Sequence, residues 1–455
     1  MSTDIATQTE YARRDFLKGG SLATVMTLLG GIPLIAQEKP AEAKPAGPKI
    51  KCAIIGINTW GREILTTLQR LPQADIAVAC DTYAASLKRA KNVAPDIKTT
   101  DDYKTILEDK EIGAVIIATP THLHKDIAIA ALKAGKHVYC EAPLAHTIAD
   151  AREIALAARD SFKQVFQAGL QMRSDPQNWF LLPFIRAGSC GKAIRASGQW
   201  NKKTLWRVPS PNPDREKDLN WRLDKSVSTG LLGEIGIHQI DRLTWFMDAL
   251  PEAVTGYGAI NFHNDGREIP DSVNAMYQFK QGPYITYNAT LGNSFEGEFE
   301  TFYGSDAAVM LRQSRAWMFK EVDAPLLGWE VYARKESHCL AEETGIVLRA
   351  DASKQTVAVG NTAGAPAPNP FTPLYYALEN FLGNCGDINN AVEDYTATFD
   401  PKDTKAFADY IKTIKLRHAA DYKDGYIATA IVIKGHEAVM QRGKVELPKS
   451  LFELT

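Results

Sequence analysis

From residue 49 to residue 173 the hydrophobic pattern switches repeatedly between short apolar runs and helical spacing. The run at 50–55 predicts a buried strand, and Ile64, Leu65 and Leu68 then recur at the spacing of one helix face. Further strands are predicted within the segments 74–83, 112–135, 136–144 and 164–173. Strands that alternate with helices indicate a doubly wound parallel sheet, so we expect a Rossmann-type domain over 49–173.

Beyond residue 250 the pattern changes to consecutive strands. Alternating apolar and polar positions predict strands without intervening helices in the segments 252–262, 272–280, 283–292 and 297–305. Helical spacing returns late, at 374–385 and 425–443, after a glycine- and proline-rich loop at 361–370. We therefore expect a second, α+β domain over 174–455, with C-terminal helices that return toward the first domain.

The composition is that of a globular protein of two domains. The 455 residues are 45% hydrophobic and 23% charged, with a formal net charge of −2 and no long basic run. This argues against nucleic acid or an anionic membrane as the main partner. The six cysteines have no metal-ligand spacing, and His122 and His124 lack a carboxylate or cysteine at such spacing, so we expect no disulfide framework and no metal site.

The N-terminus carries the pattern of an export signal. Arg13-Arg14 precedes an apolar stretch that ends at Ala36 and is interrupted by Gly30-Gly31 and Pro33, which makes it poor material for a transmembrane helix. We predict a twin-arginine signal peptide and spacer over 1–43, a periplasmic or otherwise exported protein, and no membrane span in the mature form. The alternative is a disordered amphipathic tail.

A glycine-rich turn between the first strand and helix predicts a dinucleotide site. Gly56 permits the sharp turn, Gly61 opens the helix whose free N–H groups suit a pyrophosphate, and Trp60 lies within the turn. Asn58 replaces the middle glycine, and asparagine tolerates the left-handed backbone that we expect there. Asp81, 20 residues past Gly61 at the end of the second strand, is expected to bind the ribose hydroxyls and to favour NAD over NADP. Its alternative role is that of a turn or cap residue.

Other candidate cofactor residues fall where later strands of the sheet end. Ligands of doubly wound sheets bind at the carboxyl ends of the strands. We expect Thr119, Pro120, Glu141 and Gln171 to border the cofactor there, with His124 as a helix-start or cofactor-neighbour residue.

The order and spacing of five segments resemble those of the glucose-fructose oxidoreductase, inositol dehydrogenase and rhizopine-catabolism family, Gfo/Idh/MocA. These segments are Gly56–Gly61, Asp81, 118–124, 134–145 and 230–241. The resemblance implies a second domain with a mostly antiparallel open sheet that lines the substrate pocket and often mediates oligomer formation. It also implies hydride transfer between NAD and a hydroxyl-bearing carbon of a sugar or cyclitol, and a homo-oligomer.

The family typically uses a lysine from Glu-Lys-Pro, together with an acid and a histidine from Asp-x-x-x-His. Carried over to this chain, the acid and histidine are Glu234 and His238, expected on one face of a helix, with Asp241 placed to support the histidine. Ala142 stands where the family has its lysine. Loss of a proton-transfer group costs about 10²- to 10⁴-fold in rate. Either His238 acts as the sole base, or a lysine such as Lys202 replaces the missing one.

The segment 201–224 combines aromatic and cationic side chains, which suit a sugar or a carboxylate-bearing ligand. Trp206 and Trp221 are candidate substrate contacts, with packing anchors as the alternative. Arg173, after the last strand of the first domain, either faces the pocket or lies on the surface.

These features predict an exported, NAD-dependent oxidoreductase that acts on a hydroxyl of a sugar, cyclitol or glycoside. We expect NAD to be held tightly, because the periplasm has no large pool of soluble NAD. One alternative is an NAD-using glycosidase, lyase or epimerase that oxidises its substrate transiently. Another is a catalytically silent protein that binds a sugar or nucleotide.

Overall fold

A computed structural model describes residues 48–210, 212–280, 282–312, 315–326, 335–338, 341–348 and 371–454. The signal and spacer predicted for 1–43, the loop predicted at 361–370 and one of the six cysteines, Cys339, lie outside these ranges.

The first domain contains a six-stranded sheet whose neighbouring strands all run parallel. In spatial order the strands are β3, β2, β1, β4, β5 and β6. Their bounds are β1 Ile50–Ile55, β2 Ala74–Cys80, β3 Lys98–Thr100, β4 Ala114–Ile117, β5 His137–Cys140 and β6 Phe166–Ala168. β4, β5 and β6 are buried along their whole length, as expected for strands covered on both faces. The predicted doubly wound parallel sheet is confirmed.

Helices connect these strands and continue into the second domain. Their bounds are α1 Thr59–Leu68, α2 Ala84–Val93, α3 Lys104–Glu108, α4 His124–Lys133, α5 Ile148–Asp160, α6 Pro176–Arg186, α7 Pro213–Leu219, α8 Gly230–Glu234, α9 Ile237–Met247, α10 Pro373–Thr398, α11 Thr404–Lys412 and α12 Tyr422–Gln441. Short 3₁₀ turns occur at Thr121–Leu123, Gln171–Arg173, Trp221–Leu223 and Lys449–Phe452. None of the described helices is both long and apolar enough to cross a membrane.

The second domain is built on a ten-stranded sheet. In spatial order its strands are β14, β15, β13, β12, β11, β7, β10, β9, β8 and β16. Their bounds are β7 Ala193–Asn201, β8 Ala253–Ala259, β9 Ser272–Gln278, β10 Tyr284–Thr290, β11 Glu298–Gly304, β12 Ala307–Arg312, β13 Arg315–Lys320, β14 Lys335–His338, β15 Ala341–Leu348 and β16 Lys444–Glu446. Within this sheet, among the strand pairs that the structure describes, only β7–β10 is parallel, so the expected mostly antiparallel sheet is confirmed.

The C-terminal helices do return to the first domain. Leu378 and Phe381 of α10 share a buried cluster with Cys52 and Ile54 of β1, so α10 covers one face of the parallel sheet. α12 packs on the other side and reaches both domains. At its start a Cβ on Gly425 would lie 2.7 Å from the Ala168 Cβ atom.

A second glycine lets the later part of α12 approach the antiparallel sheet. A Cβ on Gly435 would lie 2.1 Å from the Tyr277 hydroxyl oxygen of β9. Because only glycine leaves room for these approaches, α12 can hold the edge of the first sheet and the inner face of the second in a fixed relation.

Candidate functional site

The glycine turn is shaped by close backbone contacts. Gly56 has φ of +98°, and a Cβ there would lie 2.6 Å from the carbonyl carbon of Ala118, just beyond β4. A Cβ on Gly61 would lie 1.9 Å from the Gly56 oxygen. Both positions therefore require glycine, and the amide groups at the start of α1 are left facing the carboxyl edge of the sheet.

Asn58 acts differently from the prediction. Its φ is −72°, not left-handed, and it is the N-cap of α1. Its Oδ1 accepts a hydrogen bond of 2.9 Å from the Gly61 N–H, and its Nδ2 donates one of 2.8 Å to the Ala118 oxygen. Asparagine thus replaces a glycine here by capping the helix and binding the turn to the end of β4.

Asp81 lies at the end of β2, where the prediction placed it. Its two carboxylate oxygens each accept a hydrogen bond of 2.8 Å, from the Ile57 and Tyr83 N–H groups. Each carboxylate oxygen has a second lone pair, so the group retains capacity for ribose hydroxyls. Asp81 therefore holds the glycine turn, which is its structural alternative, and its role in binding the ribose stays a prediction.

A cavity of about 530 Å³ lies where the two domains meet. The first domain lines it with Asn58, Trp60, Ala118, Thr119, Thr121, His124, Glu141, Ala142, Gln171 and Met172. The second domain contributes Trp200, Trp221, Arg222, Glu234, Ile235, His238, Gln239, Arg242, Glu298 and Glu300. Pro120, Lys202 and Trp206 were also candidates, but they lie outside this lining. Lys202 is exposed, and Trp206 packs against the main hydrophobic core.

His124 stabilises the loops at the carboxyl edge of the parallel sheet, called the cofactor edge below because the cofactor is expected there. The side chain is buried, with Nδ1 at 3.0 Å from the Pro143 oxygen and Nε2 at 2.9 Å from the Thr119 oxygen. Burial lowers its pKa to about 4, so the ring is neutral and donates to only one of these two carbonyls at a time. It joins the loop after β4 to the turn after β5.

Glu141 and Ala142, which follow β5, line the cavity from the first domain. Glu141 is 7% exposed, and burial raises its pKa to about 7. Its Oε1 atom has no hydrogen-bond partner among the described residues. Ala142, which precedes Pro143 through a cis peptide bond, also lines the cavity. No ammonium group is available from that position.

Glu234 and His238 line the same cavity but do not share a helix. α8 ends at Glu234, and α9 begins at Ile237 after a break at Ile235 and Gly236. The expected placement on one helix face is therefore wrong. Burial lowers the pKa of His238, with a smaller opposite effect from the nearby Asp241 carboxylate. A neutral imidazole at this position is able to accept a proton.

Glu234 connects the two domains. Its Oε1 accepts a hydrogen bond of 2.7 Å from the Thr229 hydroxyl, and its Oε2 accepts one of 3.1 Å from the Thr121 hydroxyl of the first domain. The Arg222 Nε atom lies 3.8 Å from Oε2. These contacts fix the Glu234 carboxylate, whose side chain is 3% exposed, in the wall of the cavity. Its predicted roles, to orient His238 or to bind a substrate hydroxyl, stay predictions.

Asp241 and Arg173 form a buried ion pair, so Arg173 neither faces the cavity nor lies on the surface, and Asp241 acts on His238 through its charge alone. The Arg173 Nε and Nη2 atoms donate hydrogen bonds of 2.9 and 2.8 Å to the two oxygens of Asp241. Its Nη1 donates one of 2.9 Å to Asp424 at the start of α12. Both oxygens of the Asp241 carboxylate are therefore hydrogen-bonded to Arg173. Neither residue lines the cavity.

Sequence reasoning missed the part of the cavity formed by the antiparallel sheet and α9. This part consists of Trp200, Gln239, Arg242, Glu298 and Glu300. The segment 297–305 was predicted as a strand, and two carboxylates spaced two residues apart in a strand share a face. The spacing of Glu298 and Glu300 was the sequence signal that could have identified these two residues of the cavity. Among the described residues no group of three or more His, Cys, Asp or Glu side chains is placed to hold a metal ion.

Two family models match the chain. Residues 50–169 match the Gfo/Idh/MocA oxidoreductase family model, described as an NAD-binding Rossmann fold. Residues 184–310 match the Gfo/Idh/MocA C-terminal domain model. Together the two matches span more than half of the chain.

Curated relatives match over part of their length. Levoglucosan dehydrogenase of Pseudarthrobacter phenanthrenivorans is 28% identical over 241 residues, which are 48% of this chain and 60% of the relative. Inositol 2-dehydrogenase of Salmonella typhimurium is 28% identical over 202 residues, 44% of this chain and 55% of the relative. The chain thus spans less than two thirds of the length of these relatives.

Solved structures share the fold over most of the chain. A levoglucosan dehydrogenase in complex with NADH and levoglucosan has a TM-score of 0.63 at 19% identity, covering 88% of this chain and 100% of the other. An oxidoreductase domain protein from Kribbella flavida has a TM-score of 0.65 at 20% identity, with the same coverage. Similarity at this level of identity concerns the fold alone.

The ion pair predicts that Arg173 contributes to stability. Arg173→Met removes the guanidinium from the buried Asp241 carboxylate, and we expect urea unfolding to show a loss of about 3 kcal/mol. Arg159→Met, which removes an exposed pair with Asp160, is the control and is expected to cost less than about 1 kcal/mol. Equal losses in the two variants would contradict this assignment.

Proposed function

The chain belongs to the Gfo/Idh/MocA oxidoreductase family, and from that premise we propose that it is an NAD-dependent oxidoreductase acting on a hydroxyl of a sugar, cyclitol or glycoside. The observation that carries the proposal is the shared cavity. His238 of the second domain lines it together with Thr119 and Glu141, which lie at the strand ends where doubly wound sheets bind their cofactors.

The residues of the first domain fit a dinucleotide. Gly56 and Gly61 leave the backbone at the start of α1 open, and Asp81 offers a carboxylate to a ribose. A carboxylate there disfavours the 2′-phosphate of NADP. Bound NAD supplies the hydride acceptor for alcohol oxidation. We propose that it is held tightly, as suits an exported protein.

The chain's own residues provide the proton chemistry. Oxidation of an alcohol requires its hydroxyl proton to leave, and the neutral imidazole of His238 is placed to accept it. Glu234, held by Thr121 and Thr229, is placed to accept a hydrogen bond from a second substrate hydroxyl. Trp221 and Arg222 close the same side of the cavity, with the guanidinium 4.6 Å from the centre of the indole ring.

Ala142 supports a second candidate function. Without an ammonium group, a free sugar is oxidised less readily, whereas a transient oxidation followed by elimination and return of the hydride needs no net turnover of the cofactor. An NAD-using glycosidase, lyase or epimerase would use the same cavity in that way. A silent sugar- or nucleotide-binding protein is the remaining alternative.

The first experiment identifies the bound nucleotide and the reaction. The purified protein is extracted and its nucleotide is identified by mass, and the protein is then incubated with free sugars, cyclitols and glycosides. Accumulation of reduced nicotinamide supports the oxidoreductase. Cleaved or rearranged product without net reduction supports the internal cycle, and a nucleotide that stays unchanged with every compound supports the binding protein.

We expect His238→Asn to lower the hydride-transfer rate by about 10²- to 10⁴-fold while bound nucleotide is retained. Because the base must be neutral and burial lowers its pKa, wild-type activity should fall only as the pH drops below the ordinary histidine value of 6.5. His418→Asn, an exposed histidine outside the cavity, is the control. An unchanged rate in His238→Asn would exclude this residue as the base.

We expect Ala142→Lys to accelerate hydride transfer, by up to about 10²-fold, because it restores an ammonium group beside the reacting hydroxyl. Ala142→Met adds similar length without charge and is the matched control. The measurement is the single-turnover rate of nicotinamide reduction. Equal rates in the lysine variant and the wild type would show that position 142 does not limit proton transfer.

We also propose export by the twin-arginine pathway, on the support of Arg13-Arg14 ahead of the apolar stretch. Replacing both arginines by lysine should leave the chain unprocessed inside the cell, whereas Lys18→Arg should not. Fractionation followed by mass analysis of the N-terminus measures both. Normal export of the double variant would contradict the proposal.

We further propose a homo-oligomer that assembles through the open face of the second sheet. By strand register, Tyr257, Asn274 and Tyr284 lie on the face opposite α9 and α12, and Tyr257 is 57% exposed. Sedimentation should give a multiple of the mass of the processed chain, which is smaller than the 50.1 kDa of the full sequence. A monomer across micromolar concentrations would contradict this assembly.

A further inference from the structure

One side of the cavity forms a polar wall with an aromatic platform. This sheet wall consists of Trp200 on β7, Glu298 and Glu300 on β11, and Gln239 and Arg242 on α9. Trp200 is the direct register partner of Glu298, and Glu300 lies two residues further along the same face of β11. The five side chains therefore line one continuous surface between the sheet and α9.

Two buried groups of the sheet wall have unused hydrogen-bonding capacity. Gln239 is 7% exposed, and its Nε2 donates to the Gln199 oxygen at 2.9 Å, while its Oε1 has no partner among the described residues. Arg242 is 6% exposed and pairs with Glu300, while its Nε atom has no partner. Buried polar atoms are rarely left unpaired, so an acceptor and a donor are available to a polar ligand.

Trp200, the tryptophan of the sheet wall, offers a ring face to the cavity that Trp221 does not. The Trp221 ring is covered by the Arg222 guanidinium at 4.6 Å. Trp200 is partly buried against the hydrophobic core and also lines the cavity. No aromatic ring or cation among the described residues stacks on it. A large apolar face next to hydrogen-bonding groups suits a sugar ring, which has an apolar face and a rim of hydroxyls.

The sheet wall reaches the protein surface. His238 precedes Arg242 by one helical turn and adjoins Gln239, so the imidazole borders the wall. Glu298 and the nearby Lys202 are exposed to solvent. The wall is thus open at Glu298, where a substrate longer than one ring can continue.

The sheet wall carries two carboxylates and one guanidinium. Burial and the neighbouring Glu300 raise the pKa of Glu298, whereas Arg242 and Lys202, which lies outside the wall, act in the opposite direction. Arg242 is paired with Glu300, so Glu298 is the carboxylate of the wall that is left to a ligand. Such a surface disfavours an anionic ligand and offers hydrogen-bond acceptors to hydroxyl groups.

We infer that the sheet wall binds a second, uncharged sugar ring, so that the preferred substrate is a glycoside of at least two rings and not a free monosaccharide. This inference rests on the proposed function, since it places the reacting ring between His238 and the cofactor edge. The adjoining ring then stacks on Trp200 and bonds to Gln239, Arg242 and Glu298.

The test compares disaccharides with their component sugars on the nucleotide-bound protein. Calorimetric titration with cellobiose, maltose, lactose, glucose and galactose gives the dissociation constants without requiring turnover. We expect at least one disaccharide to bind about tenfold or more tightly than its free sugars, which corresponds to about 1.4 kcal/mol. Equal or weaker binding of all three disaccharides would overturn the inference.

Substitution of the platform then locates the second ring. Trp200→Ala should abolish the preference while the affinity for the free sugar is kept, and Trp200→Phe, which retains an aromatic face, should restore part of it. Trp206→Ala, at a tryptophan outside the cavity, is the matched control and should retain the full preference. Equal weakening of mono- and disaccharide binding in Trp200→Ala would show that the wall holds the reacting ring, which contradicts the inference.

Reduction of the nicotinamide is measured separately in the same samples. A tenfold preference without reduction by any sugar would support the sheet wall and contradict the oxidoreductase function. Reduction by free sugars without a preference for disaccharides would support that function and contradict the sheet wall.

Discussion

The buried guanidinium of Arg173 holds together the elements that carry the site. It belongs to the 3₁₀ turn that follows the last strand of the parallel sheet, and it bonds to Asp241 of α9 and Asp424 of α12. A buried cation is tolerated only when it is paired, so the position of α9 relative to the sheet edge is strongly constrained. His238 is carried by that helix, and its place opposite the cofactor edge follows from this ion pair.

The close packing of α12 reinforces the same relation by other means. Gly425 and Gly435 leave room for two close approaches of this helix, to the end of β6 and to Tyr277 of β9. A hydrogen bond of 3.0 Å from the Leu144 N–H to the Thr429 hydroxyl ties the helix to the turn after β5. The packing of α12 and the ion pairs of Arg173 together hold the two domains in a fixed relation, so that each domain forms one wall of the shared cavity.

The sequence predicted the features that depend on local spacing. The parallel sheet, the glycine turn and Asp81 follow from periodicity and from short motifs. The pairing of Arg173 with Asp241 and Asp424 did not, because the partners are separated by 68 and 251 residues. The break between Glu234 and His238 was also missed, since the acid–x–x–x–His spacing matches one helix turn. The sheet wall was missed because its members come from β7, α9 and β11 and meet only through the register of the folded sheet.

The two walls of the cavity are drawn from different domains, and this separation has an evolutionary consequence. Residues 298 and 300 lie on one face of β11 and line the cavity from the second domain. Gly56 and Gly61, in the first domain, are confined by close backbone contacts. Substitution of residue 298 therefore leaves the glycine turn unaffected, whereas Glu300 is paired with Arg242 of α9 and is less free to change. A lineage can thus vary the exposed end of one strand while the glycine turn keeps its backbone geometry.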